Sequence, residues 1–206
     1  MRFIGDIHGK LDQYKTIIDS CDESIQVGDY GIGFVDNTLR DTNHKFIRGN
    51  HDNPKLCKKE PNWIKDGTFE DDIFYIGGAS SIDRAMRYEG VNWWRDEQLS
   101  FEELYNLYQK YSEYKPDIVV SHECPDIISD SIMSKAGLGK FKDNSRTRDA
   151  LQNMFMLHKP KLWIFGHWHF NFDEVILGTR FICLNELSYI DIDMDDLSKG
   201  EIKKGK

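Results

Sequence analysis

Strand-like apolar runs in this chain end, again and again, on a small residue beside Asp, Asn or His. Arg2-Phe3-Ile4 leads into Gly5-Asp6-Ile7-His8-Gly9, Ser24 to Val27 into Gly28-Asp29, and Lys45 to Arg48 into Gly49-Asn50-His51-Asp52. Further on, Asp117 to Val120 leads into Ser121-His122, and Leu162 to Phe165 into Gly166-His167-Trp168-His169. Helical spacing at Leu11, Tyr14, Ile17 and Ile18 separates the first two runs, so strand and helix signals alternate from the start. Alternation of that kind points to an α/β fold. In open α/β sheets the ligand crevice lies outside the carboxyl ends of the strands, so all five loops can converge at one edge.

The remaining segments fill in the plan. Pro54 suits the first turn of a short helix. Ile73 to Ile76 reads as a strand closed by Gly77-Gly78. Ser100 and Glu103 form a capping box ahead of Leu104, Leu107, Tyr108 and Tyr111. Residues from about Cys124 to Asp143 show no clear periodicity and read as a long surface excursion. Leu151, Met154, Phe155 and His158 stand at core spacing for a following helix. Asp173 to Leu177, Arg180 to Leu184 and Tyr189 to Ile192 read as consecutive antiparallel strands, with Gly178-Thr179 turning between the first two. The Lys-rich tail from Ser198 is expected to fray. The division is one domain over 1–197 and a polar tail over 198–206.

Composition narrows the partners. A chain of 206 residues with 13% aromatic and 30% charged residues builds one folded core. No apolar run is long enough to span a bilayer, and Met1-Arg2-Phe3-Ile4 runs into the first loop without a leader, so a cytoplasmic protein with no membrane partner is expected. The four cysteines are scattered without a CxxC pair and read as reduced packing thiols. Cys124, two residues after His122, is an alternative metal ligand, though thiolate suits an oxygen and imidazole site less well. A net charge of −8 argues against strong nucleic-acid binding.

Each loop has a plain reading beside the chemical one. Asp6 and His8 on extended backbone point the same way and can reach one ion; the alternative is a strand-end turn with a surface His. Gly28-Asp29 alone is a common turn pair, and His122 alone is an ordinary loop residue. Gly49-Asn50-His51-Asp52 is more specific, because glycine lets the chain turn sharply and present Asn50 and His51 to one cleft. His167 and His169 again place two imidazoles on one side. Order and spacing of the whole set decide between the readings. Asp6, His8, Asp29, Asn50, His122, His167 and His169, with Asp29 counted twice as a bridge, supply ligands for two divalent cations side by side. Two such ions suit attack on a phosphorus centre. The donor mix fits Mn, Fe, Zn or Ni better than Ca, and Mn heads the expectation.

The full series, Asp-x-His, Gly-Asp, Gly-Asn-His-Asp, a lone His and Gly-His-x-His, resembles the calcineurin-like metallophosphoesterase superfamily from about residue 3 to 185. The resemblance implies a four-layer αββα sandwich of two mixed β-sheets flanked by helices, with metals at the carboxyl edge of the strands. It implies one cation on Asp6, His8, Asp29 and His169, and a second on Asp29, Asn50, His122 and His167. It also implies that His51 contacts the scissile phosphate and protonates the leaving group, for which imidazole has the right intrinsic pKa. A hydroxide shared by the cations attacks in line, with no covalent intermediate.

Departures from the family pattern matter as much. The first and third loops are similar to the protein serine/threonine phosphatase branch, which continues its second motif as Gly-Asp-x-x-Asp-Arg-Gly. Here Ile32 stands in place of the acid that supports the catalytic His, and Gly33 in place of a phosphate-binding Arg. Asp52 or Asp83 is expected to support His51 instead. Gly77-Gly78-Ala79-Ser80-Ser81-Ile82-Asp83-Arg84 and Arg87 offer a replacement phosphate site, with Asn50 beside it; surface arginines on a structural turn are the alternative. Trp93-Trp94 reads as core rather than a stacking platform. Lys135, Lys140, Lys142, Arg146 and Arg148 either gate the cleft or decorate a solvated loop. The expected activity is phosphomonoester hydrolysis, on a phosphorylated small molecule, nucleotide or phosphoprotein. A phosphodiesterase, a nucleotide or dinucleoside polyphosphate hydrolase and a nuclease are alternatives. A non-catalytic scaffold of the same fold is a further one, against which the filled ligand set counts.

Overall fold

A computed structural model describes residues 1–35, 39, 43–137 and 145–205. In chain order the elements are β1 (Arg2–Ile4), α1 (Leu11–Ile18), β2 (Ser24–Gln26), β3 (His44–Phe46), α2 (Pro54–Cys57), β4 (Phe69–Glu70), β5 (Ile73–Ile76) and a 3-10 turn (Arg84–Met86). There follow α3 (Phe101–Tyr114), β6 (Ile118–Ser121), α4 (Asp126–Lys135), α5 (Arg146–Leu157), β7 (Leu162–Phe165), β8 (Phe172–Ile176), β9 (Thr179–Cys183), β10 (Ser188–Asp191) and β11 (Lys203–Lys204). One sheet runs β11-β10-β1-β2-β3 and the other β4-β5-β6-β7-β9-β8. Both are mixed: β1, β2 and β3 are parallel in the first, and β5, β6, β7 and β9 in the second, with antiparallel strands at the margins.

The central strands β5, β6 and β7 are buried along their whole length because both of their faces are covered. Alternate residues go to different layers. Phe3, Ile25, Tyr75, Val120, Ile164 and Ile182 fill the seam between the sheets. Ile4 and Phe46 pack outward with Tyr14 and Ile17 of α1. Phe74, Val119, Trp163, Phe165 and Phe181 pack outward on the other side, with Leu107 of α3, Ile132 of α4 and Phe155 of α5. The result is the expected four-layer αββα sandwich.

Local signals account for most helix boundaries. Asn53 caps α2, with Pro54 in its first turn. The Ser100–Glu103 capping box starts α3, which turns Leu104, Leu107 and Tyr111 inward. Leu151, Met154 and Phe155 are the buried face of α5, but His158 lies just past its end, with Nε2 3.0 Å from the Pro116 carbonyl.

Four expectations need correction. The excursion after Cys124 contains a helix, α4, whose buried face is Ile128, Ser129, Ile132 and Met133. The serine in that face and the outward Ile127 obscure the apolar period. The last strands are not one consecutive antiparallel run: β8 and β9 form a hairpin, whereas β10 crosses to the other sheet and pairs with β1. The hairpin turns on Leu177-Gly178, both at positive φ, and Thr179 already belongs to β9. The tail does not fray, because Lys203 and Lys204 pair with β10 and the Gly205 N–H donates to the Leu187 carbonyl. No helix among the described residues is long and apolar enough to cross a membrane.

If α4 is an integral layer, Ile132→Ala, at a side chain 2% exposed, lowers unfolding free energy by about 2–5 kcal/mol in urea denaturation. Ile127→Ala, at 40% exposure, costs less than about 1 kcal/mol.

Candidate metal centre

Each sheet delivers part of the site from its carboxyl edge. Asp6 and His8 follow β1, Asp29 follows β2, and Asn50 and His51 follow β3. The other sheet supplies His122 after β6, and His167 and His169 after β7. His8, Asp29, His167 and His169 all sit on left-handed backbone, with φ of 45°, 57°, 68° and 47°. For a residue with a Cβ this costs about 1–2 kcal/mol each, and such strain gathers at functional sites. Two of the flanking glycines provide room. A Cβ on Gly49 would fall onto the Asp29 carboxylate, and one on Gly166 onto the Asp6 carboxylate.

The ligand atoms form overlapping groups. Asp6, His8 and His169 make one, His8, Asp29 and His51 a second, and Asp6, Asp29 and His122 a third, each with its ligand atoms within 4.8 Å of one another. His169 Nε2 lies 3.1 Å from Asp6 Oδ2 and 2.9 Å from His8 Nε2. His122 Nε2 lies 3.0 Å from Asn50 Oδ1 and 3.4 Å from Asp29 Oδ1. His167 stands at the margin of these groups. Its ring is 5.1 Å from that of His122, and its Nε2 is 3.8 Å from the buried Glu123 carboxylate.

The chemistry of this set fits a divalent cation. His122 Nδ1 is 2.9 Å from the Val27 carbonyl, which can only accept, so Nδ1 carries the proton. In the neutral ring Nε2 is then a bare lone pair, facing two further acceptors. Ligating histidines are oriented in this way, by donating the other ring N–H to a carbonyl or carboxylate. The same demand for positive charge moves the proton affinities. Burial works against the imidazolium of His122, but Asp29 overrides it and the pKa is pushed up to about 10. Burial likewise works against the Asp29 carboxylate, yet His122, His51 and His8 hold it well below the usual range. The hydrogen bond to Asp6 raises His169, while burial lowers His167.

His51 and the arginines are arranged differently from the expected pattern. Asp52 does not support the His51 ring. Its fully buried carboxylate accepts the backbone N–H groups of Gly31 and Ile32 on one oxygen and of Tyr30 and Gly49 on the other, at 2.7–3.1 Å. It ties the second loop to the third. Asp83 reaches His51 only through Arg87: its two oxygens accept from Arg87 at 2.5 and 2.7 Å. The Arg87 terminal nitrogens lie 2.8 and 3.1 Å from the two ring nitrogens of His51. Burial and the Arg87 charge lower the His51 pKa, against the pull of Asp29. Arg84 points elsewhere, its guanidinium 3.4 Å over the ring of Trp93. Trp93 is thus a platform for an arginine, and Trp94 is core, with Nε1 donating to the His51 carbonyl at 2.9 Å. Ile32 is buried in the core beneath α1.

The basic residues of the excursion divide. Lys135 pairs with Glu174. Arg146 holds the carbonyls of Gln98 and Leu99, and Arg148 is buried against Glu123 at 2.9 Å. Lys140 and Lys142 lie outside the described residues. Cys124 is packed in the core, where burial raises its thiol. Three residues near the candidate ligands were given no role by the sequence. Glu123 accepts from Arg148 and Trp168, and Ser81 with Glu97 supports Asn50. A cavity of about 540 Å³ opens over the ligands, with Arg87, Asp83, Ile82, Met133 and Trp168 among its walls.

Fold and donor set together define a sandwich with a cluster of candidate metal ligands where the carboxyl edges of two sheets meet. The chain belongs to the calcineurin-like phosphoesterase family, whose sequence model matches residues 2–171. Membership implies a hydrolase of phosphate esters that works with divalent metal. A search of curated proteins found no match.

Because Asp52 serves four backbone donors, Asp52→Asn puts an NH2 group against two of them. The expected loss is about 2–6 kcal/mol of stability in denaturant unfolding, at about 1–3 kcal/mol per stranded buried donor.

Proposed function

We propose that this protein is a binuclear metal-dependent phosphomonoesterase. The observation that carries the reading is the meeting of Asp29 Oδ1, Asn50 Oδ1 and His122 Nε2, beside the cluster of Asp6, His8 and His169. On this reading Asp6, His8, Asp29 and His169 hold one cation, and Asp29, Asn50, His122 and His167 the other. When bound, the cations would neutralise the phosphate oxygens and acidify a water for in-line attack. Manganese is the first cation to test, and a cytoplasmic setting accords with four unpaired cysteines.

The chain's own groups have separate tasks. Arg87 stands beside the ligands in the wall of the cavity and offers a fork of donors to the phosphate. A phosphate is a stronger acceptor than imidazole, so a substrate draws the guanidinium off His51. Freed of that charge and beside Asp29, the His51 ring takes up a proton from solvent, and the imidazolium gives it to the leaving oxygen. Asp83 keeps Arg87 in reach through its paired hydrogen bonds. A cation beside the cluster favours the monoester, whose phosphate carries more charge than a diester. The substrate is a phosphorylated small molecule, nucleotide or phosphoprotein, and comparison of p-nitrophenyl phosphate with its bis ester separates monoesterase from diesterase.

Chelation abolishes turnover of p-nitrophenyl phosphate, and added Mn²⁺ restores it. His169→Ala lowers the restored rate by more than about 100-fold, the upper end of what outer-shell changes cost; unchanged metal-dependent turnover removes the assignment. His51→Ala behaves differently. It lowers kcat about 100-fold or more on alkyl phosphates but less than about tenfold on p-nitrophenyl phosphate, whose leaving group needs no acid. Equal losses on both substrates remove the acid role.

A further inference from the structure

Asn50 carries an oxygen and an NH2 group of nearly equal size, and a half-turn of the side chain exchanges them. Only the oxygen can face a cation. Two residues outside the five ligand loops bear on that choice. Asn50 Nδ2 donates to Ser81 Oγ at 3.0 Å, which leaves Oδ1 towards His122 Nε2. Ser81 donates twice to one carboxylate: Oγ to Glu97 Oε2 at 2.5 Å, and the backbone N–H to Glu97 Oε1 at 3.0 Å. The Ser81 hydroxyl has a single proton, and Glu97 takes it. What Ser81 then shows to Asn50 is a lone pair, which only the amide NH2 can meet. Asn50, Ser81 and Glu97 are 2%, 6% and 4% exposed, so bulk water does not satisfy the opposite arrangement.

We propose that Ser81 and Glu97 are positioning residues which fix the Asn50 amide with its oxygen towards the cation shared with His122. The inference rests on the phosphoesterase reading of Asn50 as a ligand, and adds a direction to it. The hydrogen-bond chain runs Asn50 to Ser81 to Glu97, and its sense is set by the carboxylate, which accepts at both ends. A glutamine at 97 has one acceptor oxygen. The Ser81 N–H claims that oxygen, so the new NH2 group donates to Ser81 Oγ. The serine proton must then turn to Asn50, which accepts it through Oδ1 and presents its NH2 group to the cation. Glu97→Gln therefore reverses the chain, while Ser81→Ala only releases Asn50.

The test is calorimetric titration of the purified protein with Mn²⁺ in the absence of substrate, beside thermal unfolding of the metal-free form. Wild type is expected to bind two cations. Ser81→Ala weakens one of them about tenfold, and Glu97→Gln weakens the same one by at least as much, within the range of about 10- to 100-fold known for outer-shell partners. Ser81→Thr keeps the hydroxyl and keeps the affinity. Wild-type affinity in both Ser81→Ala and Glu97→Gln overturns the proposal, even if their melting points fall, since that is the mark of packing alone. An equal loss in Ser81→Thr also overturns it, because bulk rather than the hydroxyl would then be at work. If Glu97→Gln does not fold, the contrast of Ser81→Ala with Ser81→Thr carries the test. A wild type that binds no cation overturns the ligand reading, and this inference falls with it.

Discussion

The apolar seam between the two sheets decides everything above it. Neither sheet carries all the candidate ligands: Asp6, His8, Asp29 and Asn50 come from one, and His122, His167 and His169 from the other. What holds the halves together is the packing of Phe3, Ile25, Val27 and Ile190 against Ile73, Val120, Ile164 and Ile182. Buried side chains of this kind contribute about 1.5–3 kcal/mol each, and dense packing leaves the sheets little freedom to slide. Contacts that cross the join at the top of the seam are polar and specific. His122 reaches the Val27 carbonyl, and the His167 N–H reaches Asp6 at 3.2 Å.

Above the seam the loops hold a conformation that their side chains disfavour. Four ligand residues take positive φ, and the Asp29 and Asp6 carboxylates press into space that only glycine leaves open. Such strain persists where the surroundings over-determine it. Asp52 is the clearest case, since one carboxylate fixes four N–H groups from two loops. The chain's own hydrogen bonds therefore hold these loops in place.

Legibility from sequence followed the range of the signal. Strands and most helices were readable because alternation, capping boxes and N1 prolines act within a few residues. The ligand loops were readable because each keeps its donors next to a glycine or serine. Helix α4 was missed because Ser129 sits in its buried face and Ile127 outside it. The path of β10 was missed because nothing local distinguishes the third strand of a meander from a strand that joins the other sheet. Asp52 was given the wrong neighbour, since backbone donors 20–22 residues away leave no trace in residue type. Arg84 and Arg87 were inseparable by composition; a 3-10 turn sends one over Trp93 and the other to His51. Ser81 and Glu97 had no spacing rule that could have found them.

The crossing of β10 has a temporal meaning. Strand β1, which leads into Asp6 and His8, has β2 on one side and β10 on the other, and β10 is in turn bordered by β11. A chain emerging from the ribosome can pair β1 with β2 early, but residues 188–191 arrive some 187 positions later. Contacts of such long range form late. Closure of that flank therefore comes late in folding, after the parallel pairing of β1 with β2.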